Sequence, residues 1–402
     1  MKEARDLLPI YKVEHNCILS RQGDITVGFK ASLPEIFTLS DRDYESYHQA
    51  WVKAIKLLPQ HSVFHKQDWF SASSYKADFA SARDSFLSRS SERFFNEREC
   101  LEHSCYVFLT KKPSGRKLSS SMYSNIRRQS VVPAQTVSPV LYRDFMDSVG
   151  QFARVLTDSG FVGLSRLTDD ELAGTANVPG VLERYCFLLE EGKPSVIRDI
   201  HLKEQIRIGD KRLELYTLSD TENLPSLVGS RINYDRYSTD RTKFSVGFAS
   251  PLGQLLPCNH IFNQYVFLGD SSATLKRLEA KKLRLQSLSG YSRENAISRD
   301  SVNDFLNEAI ASGRLPVKAH FNVLAWSDEP GGQVDLRNLV SSAMAQLDAV
   351  AKQETDGQAQ IWFAGLPGNE ADFPMNDTFD TFLEQASCFF NLESNYRSSV
   401  SA

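Results

Sequence analysis

Three soft metal donors stand close together in the chain: Cys100, His103 and Cys105, spaced C-x-x-H-x-C. Thiolates and an imidazole at that density can hold zinc. A structural zinc site takes four ligands, however, and a catalytic one keeps three plus an open position. Cys258 and His260 offer a distant supplement. The competing reading is a helix end that runs into a buried strand and holds no metal, and the incomplete spacing favours it. His61 and His65 are four residues apart. On a strand they would lie roughly 13 Å apart on one face, too far to share an ion.

Phosphate chemistry has no complete motif. A phosphate loop of the G-x-x-x-x-G-K-[ST] kind needs glycines for close backbone approach and a lysine for the phosphates. The one Gly-Lys pair, Gly192-Lys193, is followed by Pro194, and Phe187 stands where the first glycine belongs. Neither G-x-G-x-x-G nor the nucleophile elbow G-x-S-x-G occurs. The acidic runs Asp41–Asp43 and Asp169–Glu171 sit at expected helix starts, where capping explains them. No catalytic, cofactor or metal residue is therefore assigned.

One stretch carries an unusual charge pattern. Between His103 and Arg143 there is no acid, while Lys111, Lys112, Arg116, Lys117, Arg127 and Arg128 are all basic. The plain reading of residues 112–137, rich in Ser, Pro and Gly, is a solvated loop. The functional reading is a contact with anionic lipid, nucleic acid or an acidic partner. The basic helix expected over Ser272–Leu288 raises the same question, with a solvated face as the default.

Around these residues, expected strands and helices alternate. Strands are expected at Asn16–Ser20 and Asp24–Leu33, where Ile25, Val27, Phe29, Ala31 and Leu33 keep a period of two. A helix capped at Ser40 follows, with Tyr47, Ala50, Trp51, Ala54 and Ile55 on one face. Strands are expected at His61–Phe70 and Cys105–Lys111, with a helix at Ser85–Arg98 between them. A helix spans Ser138–Ser159. Capping boxes are expected at Thr168–Glu171 and Ser219–Glu222, and a hairpin over Ile206–Leu218. The apolar run Tyr185–Leu189 has strand length. The last third reads as β-α-α-β-α-β, with strands at Asn263–Leu268, Val317–Trp326 and Gln360–Leu366.

The whole suggests an α+β protein. It would have small, mixed, largely antiparallel sheets with helices on one face and ferredoxin-like or split βαβ elements. The expected divisions are a subdomain at 1–111, the loop 112–137, a middle region at 138–250, a β-α-α-β-α-β subdomain at 251–392 and a linker start at 393–402. The 402 residues carry a net charge of −4, which excludes a whole-chain electrostatic nucleic-acid binder. No run reaches the roughly 20 apolar residues of a membrane span and no secretory signal is visible, so the cytoplasm is the default. The six cysteines are scattered and read as reduced thiols.

Several segments together resemble one family. HKQDWF (65–70), FLSRSSERFFNER (86–98), STDRTKFSVGFASPLGQLLPCNHIFNQYVF (238–267), HFNVLAW (320–326), GLPGNEADFP (365–374) and ESNYRSS (393–399) are similar to the N-terminal region of TraG-family conjugative transposon ATPases. These belong to the type IV secretion ATPases. In that family a short linker and a RecA-like motor domain follow, and the motor binds ATP and magnesium. The sequence stops at Ala402, before either. The resemblance implies a non-catalytic assembly and docking module, cytoplasmic and peripheral to the inner membrane. Its implied partners are inner-membrane components of a conjugation channel, its own motor domain and further copies of itself, with no sequence-specific nucleic-acid contact. The alternatives are a stand-alone zinc-dependent enzyme using Cys100, His103 and Cys105, or an anionic-surface binder.

Overall fold

The computed structural model describes residues 9–74, 85–96, 99–113, 134–191, 193–327 and 332–395. Among them the fold is α+β, as expected. In chain order the strands are β1 (Ile10–Glu14), β2 (Cys17–Ser20), β3 (Ile25–Ser32), β4 (Ser62–Ser74), β5 (Glu99–Lys111), β6 (Gly163–Arg166), β7 (Ile200–His201), β8 (Arg207–Ile208), β9 (Lys211–Leu218), β10 (Arg231–Asn233), β11 (Ser245–Gly247), β12 (Asn259–Leu268), β13 (Pro316–Ser327), β14 (Lys352–Gln353) and β15 (Phe379–Phe382).

The expected small sheets are in fact one large sheet. Thirteen strands join in the order β1-β2-β3-β5-β4-β12-β13-β9-β8-β7, with β6 on β3, β15 on β13 and β14 on β9, while β10 and β11 pair apart. The ladders are antiparallel. The join is the pairing of β4 with β12, from Phe70↔His260 to Ser62↔Leu268. Strands from the segments 1–111 and 251–392 thus lie side by side.

Helices cover both faces of this sheet, not one. On the first face lie α1 (Asp41–Lys56), α3 (Pro139–Asp158) and α8 (Gln333–Gln346), contributing Tyr44, Tyr47, Trp51, Phe152 and Val340 to the larger core. The helix α2 (Phe86–Asn96) connects β4 to β5. On the second face lie α4 (Asp169–Ala173), α5 (Val181–Phe187) and α9 (Gln358–Gly365), with Leu172, Tyr185, Ile361 and Trp362 in the second core. The reason lies in the central strands: β12 and β13 are buried along almost their full length on both faces, and a doubly buried strand needs cover on each side.

Local chemistry explains most helix starts. Ser40 Oγ accepts from Asp43 N at 3.3 Å while Asp43 Oδ2 accepts from Ser40 N at 2.9 Å. Thr168 and Glu171 make the same reciprocal box. The box expected at Ser219–Glu222 does not form. A 3₁₀ turn, Thr221–Asn223, starts there without a side-chain cap, and Asp220 is taken by Lys352 at 3.1 Å.

Two expected strands are helical. Gln360–Leu366 is α9, and Tyr185–Leu189 falls in α5 and its left-handed exit at Leu188, φ 48°. A short apolar run cannot be told from a buried helix by periodicity alone. Here the two helices bury each other: Tyr185 stacks on Trp362 at 5.5 Å and its hydroxyl donates to Trp362 O at 2.7 Å.

Two further helices, α6 (Ser271–Leu288) and α7 (Arg293–Ala311), form an arm. They replace the tight turn that adjacent antiparallel strands β12 and β13 could have used. At 1.5 Å per residue, α6 alone is about 27 Å long.

Candidate functional site

The densest set of ionisable groups lies at the centre of the sheet, around four successive polar residues of β4. His65, Lys66, Gln67 and Asp68 are all fully buried. Side chains alternate along a strand, so Lys66 and Asp68 face α1 while His65 and Gln67 face α9. Two polar networks result, one on each face.

The first network closes on Asp68. Its carboxylate accepts from Lys66 Nζ, from Gln264 Nε2 at 2.7 Å and from Asn391 Nδ2 at 3.1 Å, and His103 Nε2 lies 2.8 Å from Oδ1. Burial alone would push this carboxyl up. The Lys66 ammonium, His103 and Gln264 outweigh it and hold the group well below the usual carboxylate range. The network then reaches the segment 391–394. Asn391 N donates to Gln264 Oε1 at 2.9 Å, and His103 Nδ1 lies 3.0 Å from Ser394 Oγ. Glu393, beside them, accepts from Tyr44 and Ser250. Burial pushes the Glu393 carboxyl up, against those hydrogen bonds and one from the Gly247 backbone.

The second network holds the turn after α9. Glu370 Oε2 accepts from Thr110 Oγ1 and from Gly368 N, each at 3.0 Å, and Oε1 lies 3.5 Å from His65 Nδ1. Asn263 Oδ1 accepts from Gln67 Nε2 at 2.9 Å and lies 3.0 Å from His65 Nε2. Asn263 Nδ2 in turn donates to Asn322 Oδ1 at 2.9 Å. Gln67 also donates to Gly365 O at 3.0 Å. The turn needs glycine at 368, where φ is +89° and a Cβ would meet Ile18 at 2.5 Å.

Pairs such as Lys66–Asp68 and His65–Glu370 have the residue types of acid–base dyads. A substrate must reach such a pair, and these four side chains have no exposed surface. The surface concavities at Pro34–Phe161 (590 Å³) and Phe37–Lys243 (600 Å³) contain none of them. The arrangement joins distant segments. Asp68, His103 and Gln264 bind the segment 391–394 on one face, and His65 and Gln67 reach the turn 365–370 on the other.

The structure does not bring Cys100, His103 and Cys105 together. All three lie on β5, where Cys100 points to the opposite face from His103 and Cys105 and its Sγ lies 3.4 Å from Ser73 O. Both ring nitrogens of His103 already face Asp68 and Ser394. Burial pushes the Cys105 thiol well up, which disfavours the thiolate a metal needs. His260 sits between the carbonyls of Cys258 at 2.8 Å and Leu252 at 3.1 Å. His61 precedes β4, at φ 63°, and does not join His65. Among the described residues no group of three His, Cys, Asp or Glu side chains could hold a metal ion.

Of the six basic residues singled out in the sequence, Lys111 ends β5 and donates to Gln60 O, and burial pushes its ammonium down. Lys112 N donates to His61 O at 3.0 Å. Arg116, Lys117, Arg127 and Arg128 lie outside the described residues. The end of the expected loop is a helical turn, Ala134–Val137, whose Gln135 Nε2 donates to Lys111 O at 3.0 Å.

The sequence motifs contain His65 to Asp68, Asn263, Gln264 and Glu370, but neither network was legible in them. A signal was present: HKQD puts polar residues on both faces of one strand between apolar neighbours, whereas a half-exposed strand alternates.

A family model described as a domain of unknown function, B. Theta gene description (DUF3875), matches residues 2–49. That stretch includes β1 to β3 and the first half of α1. No curated protein matches the chain. No helix among the described residues is long and apolar enough to cross a membrane.

Proposed function

We propose that the chain is a non-catalytic assembly and docking module of a conjugative DNA-transfer ATPase of the type IV secretion group. ATP and magnesium would be handled by the RecA-like motor domain of that family and not by these residues. The module would work in the cytoplasm at the periphery of the inner membrane. It would bind inner-membrane components of the channel and its own motor, and associate with further copies of itself.

One observation carries this reading. Of the segments that resemble the TraG family, 65–70, 238–267, 320–326, 365–374 and 393–399 contain His65, Gln67, Asp68, Asn263, Gln264, Asn322, Glu370 and Ser394, most members of the two buried networks. What those motifs maintain in this fold is a frame that locks distant segments together, with its ionisable groups enclosed. A frame suits a part that positions other parts. The test is co-purification of the full chain with inner-membrane channel components from detergent-solubilised membranes. Stable co-elution is expected. Absence of co-elution, together with ATP hydrolysis by the chain itself, would overturn the reading.

A further inference from the structure

The arm made by α6 and α7 ends in a tip that is both cationic and apolar. Leu278, Leu285, Val302 and Leu306 form a small core between the two helices. The root is tied to the sheet by the Arg277–Asp380 ion pair at 2.9 Å and by Phe305 stacked on Phe382 at 4.2 Å. Towards the tip, Leu283, Leu288, Ile297 and Tyr291 are exposed, Tyr291 by 87%.

These side chains do not share one stripe. Leu283 lies two residues from buried Leu285 and so projects from the other side of α6, Tyr291 sits in the connection, and Ile297 lies away from the Val302–Leu306 seam of α7. Apolar groups therefore surround the end of the arm. A flat protein partner would cover one face only, whereas a medium entered end-on would cover them all.

The charge points to the medium. Residues 281–297 carry Lys281, Lys282, Arg284 and Arg293 against a single acid, Glu294, in a chain whose net charge is −4. Among the described residues none of the four cations has an ion-pair partner. A second copy meeting tip to tip would bring like charge against like charge.

We propose that the α6–α7 tip is a membrane-contact site for an anionic bilayer surface. Leu288 and Tyr291 would enter the boundary between headgroups and acyl chains, where a tyrosine buries its ring and keeps its hydroxyl wet. Lys281, Lys282, Arg284 and Arg293 would lay their stems along that boundary and place their charges on lipid phosphates. The inference deepens the docking reading and rests on it for its cellular setting. The two fail separately. ATP hydrolysis by the chain would count against docking without touching vesicle binding, and vesicle binding that ignores the tip would overturn only the tip.

The experiment is flotation of the full chain with phosphatidylcholine vesicles, with and without phosphatidylglycerol. Binding is expected only with the anionic lipid, weakening as salt is raised. Lys281→Glu with Lys282→Glu, and separately Leu288→Ser with Tyr291→Ser, should each lower the partition coefficient by about tenfold or more, with unchanged circular dichroism. Tyr291→Phe should retain binding. Tyr291→Trp should be quenched by brominated lipid, while the native Trp51, Trp69, Trp326 and Trp362, all buried, should not. Equal binding by wild type and both tip variants would overturn the proposal. So would a concentration-dependent dimer that the tip substitutions abolish, because the tip would then be a contact between copies.

Discussion

At the centre of the sheet Lys66, Asp68, His65 and Glu370 are sealed from solvent, whereas at the end of the α6–α7 arm Leu283, Leu288, Tyr291 and Ile297 are open to it. The two regions invert the usual placement of polar and apolar groups, and each inversion has its own logic. A buried charge is tolerated only when it is paired and hydrogen-bonded, and Asp68 has four partners, from three strands and the segment 391–394. An exposed apolar cluster is tolerated at a cost in solubility, and such clusters mark places where something else binds. We propose that the centre serves the fold and the tip an encounter. Substitutions at the centre should cost stability, and substitutions at the tip should not.

The largest effect is expected at Asp68. Asp68→Ala leaves Lys66 buried without its partner, and removing one member of a buried ion pair costs about 3–5 kcal/mol. Urea unfolding should show this as a lower midpoint. A loss below that of an ordinary surface substitution would mean that water reaches the site and that the centre is not sealed.

Gly368→Ala should cost about 1–3 kcal/mol, because alanine is strained at φ +89° and its Cβ would press on Ile18. A substitution that cost nothing would show that the turn is not pinned to the sheet.

Two of the buried carboxyls, Asp68 and Glu393, should respond to pH with opposite sign. The folded pKa of Asp68 is held below its unfolded value of about 3.9. Its contribution is therefore complete above about pH 4 and is lost as pH falls below that value towards the folded pKa. The folded pKa of Glu393 is raised, so its contribution is present below about pH 4.3 and is lost as pH rises through the folded value. Unfolding free energies measured across this range should lose their acid slope in Asp68→Asn, and Glu393→Gln should remove the opposing one. Identical profiles for the two variants would contradict the assignment of opposite shifts.

The smallest effect is expected at the tip. Tyr291→Ser should change stability by no more than about 0.5 kcal/mol while lowering vesicle binding. A large stability loss there would make the tip part of the core and remove the contrast between the two regions.

How much of this could be read in the sequence depended on the distance between interacting residues. Ser40 with Asp43 and Thr168 with Glu171 are three residues apart, and the cap at Ser40 and the box at Thr168 were legible, whereas the box expected at Ser219–Glu222 lost Asp220 to a distant partner, Lys352. The alternation of Ile25 to Leu33 gave β3, and the i, i+3, i+4 spacing of Tyr47 to Ile55 gave α1. By contrast, Asp68 meets Gln264 across 196 residues and Asn391 across 323, and no local pattern encodes such pairings. The same limit explains α9. Its apolar residues are buried on nearly every side by α5 and the sheet, so tertiary contact rather than periodicity decided between helix and strand. The arm was legible as two helices, but its exposed apolar end was not, because leucines at 283 and 285 look alike until the partner helix covers only one of them.

ATP hydrolysis by the purified full chain, with magnesium, compared between wild type and Asp68→Asn, tests most directly whether the polar centre is a frame or a catalytic site. Both proteins are predicted to stay at the background rate. Turnover by the wild type that disappears in a folded Asp68→Asn variant would contradict the account.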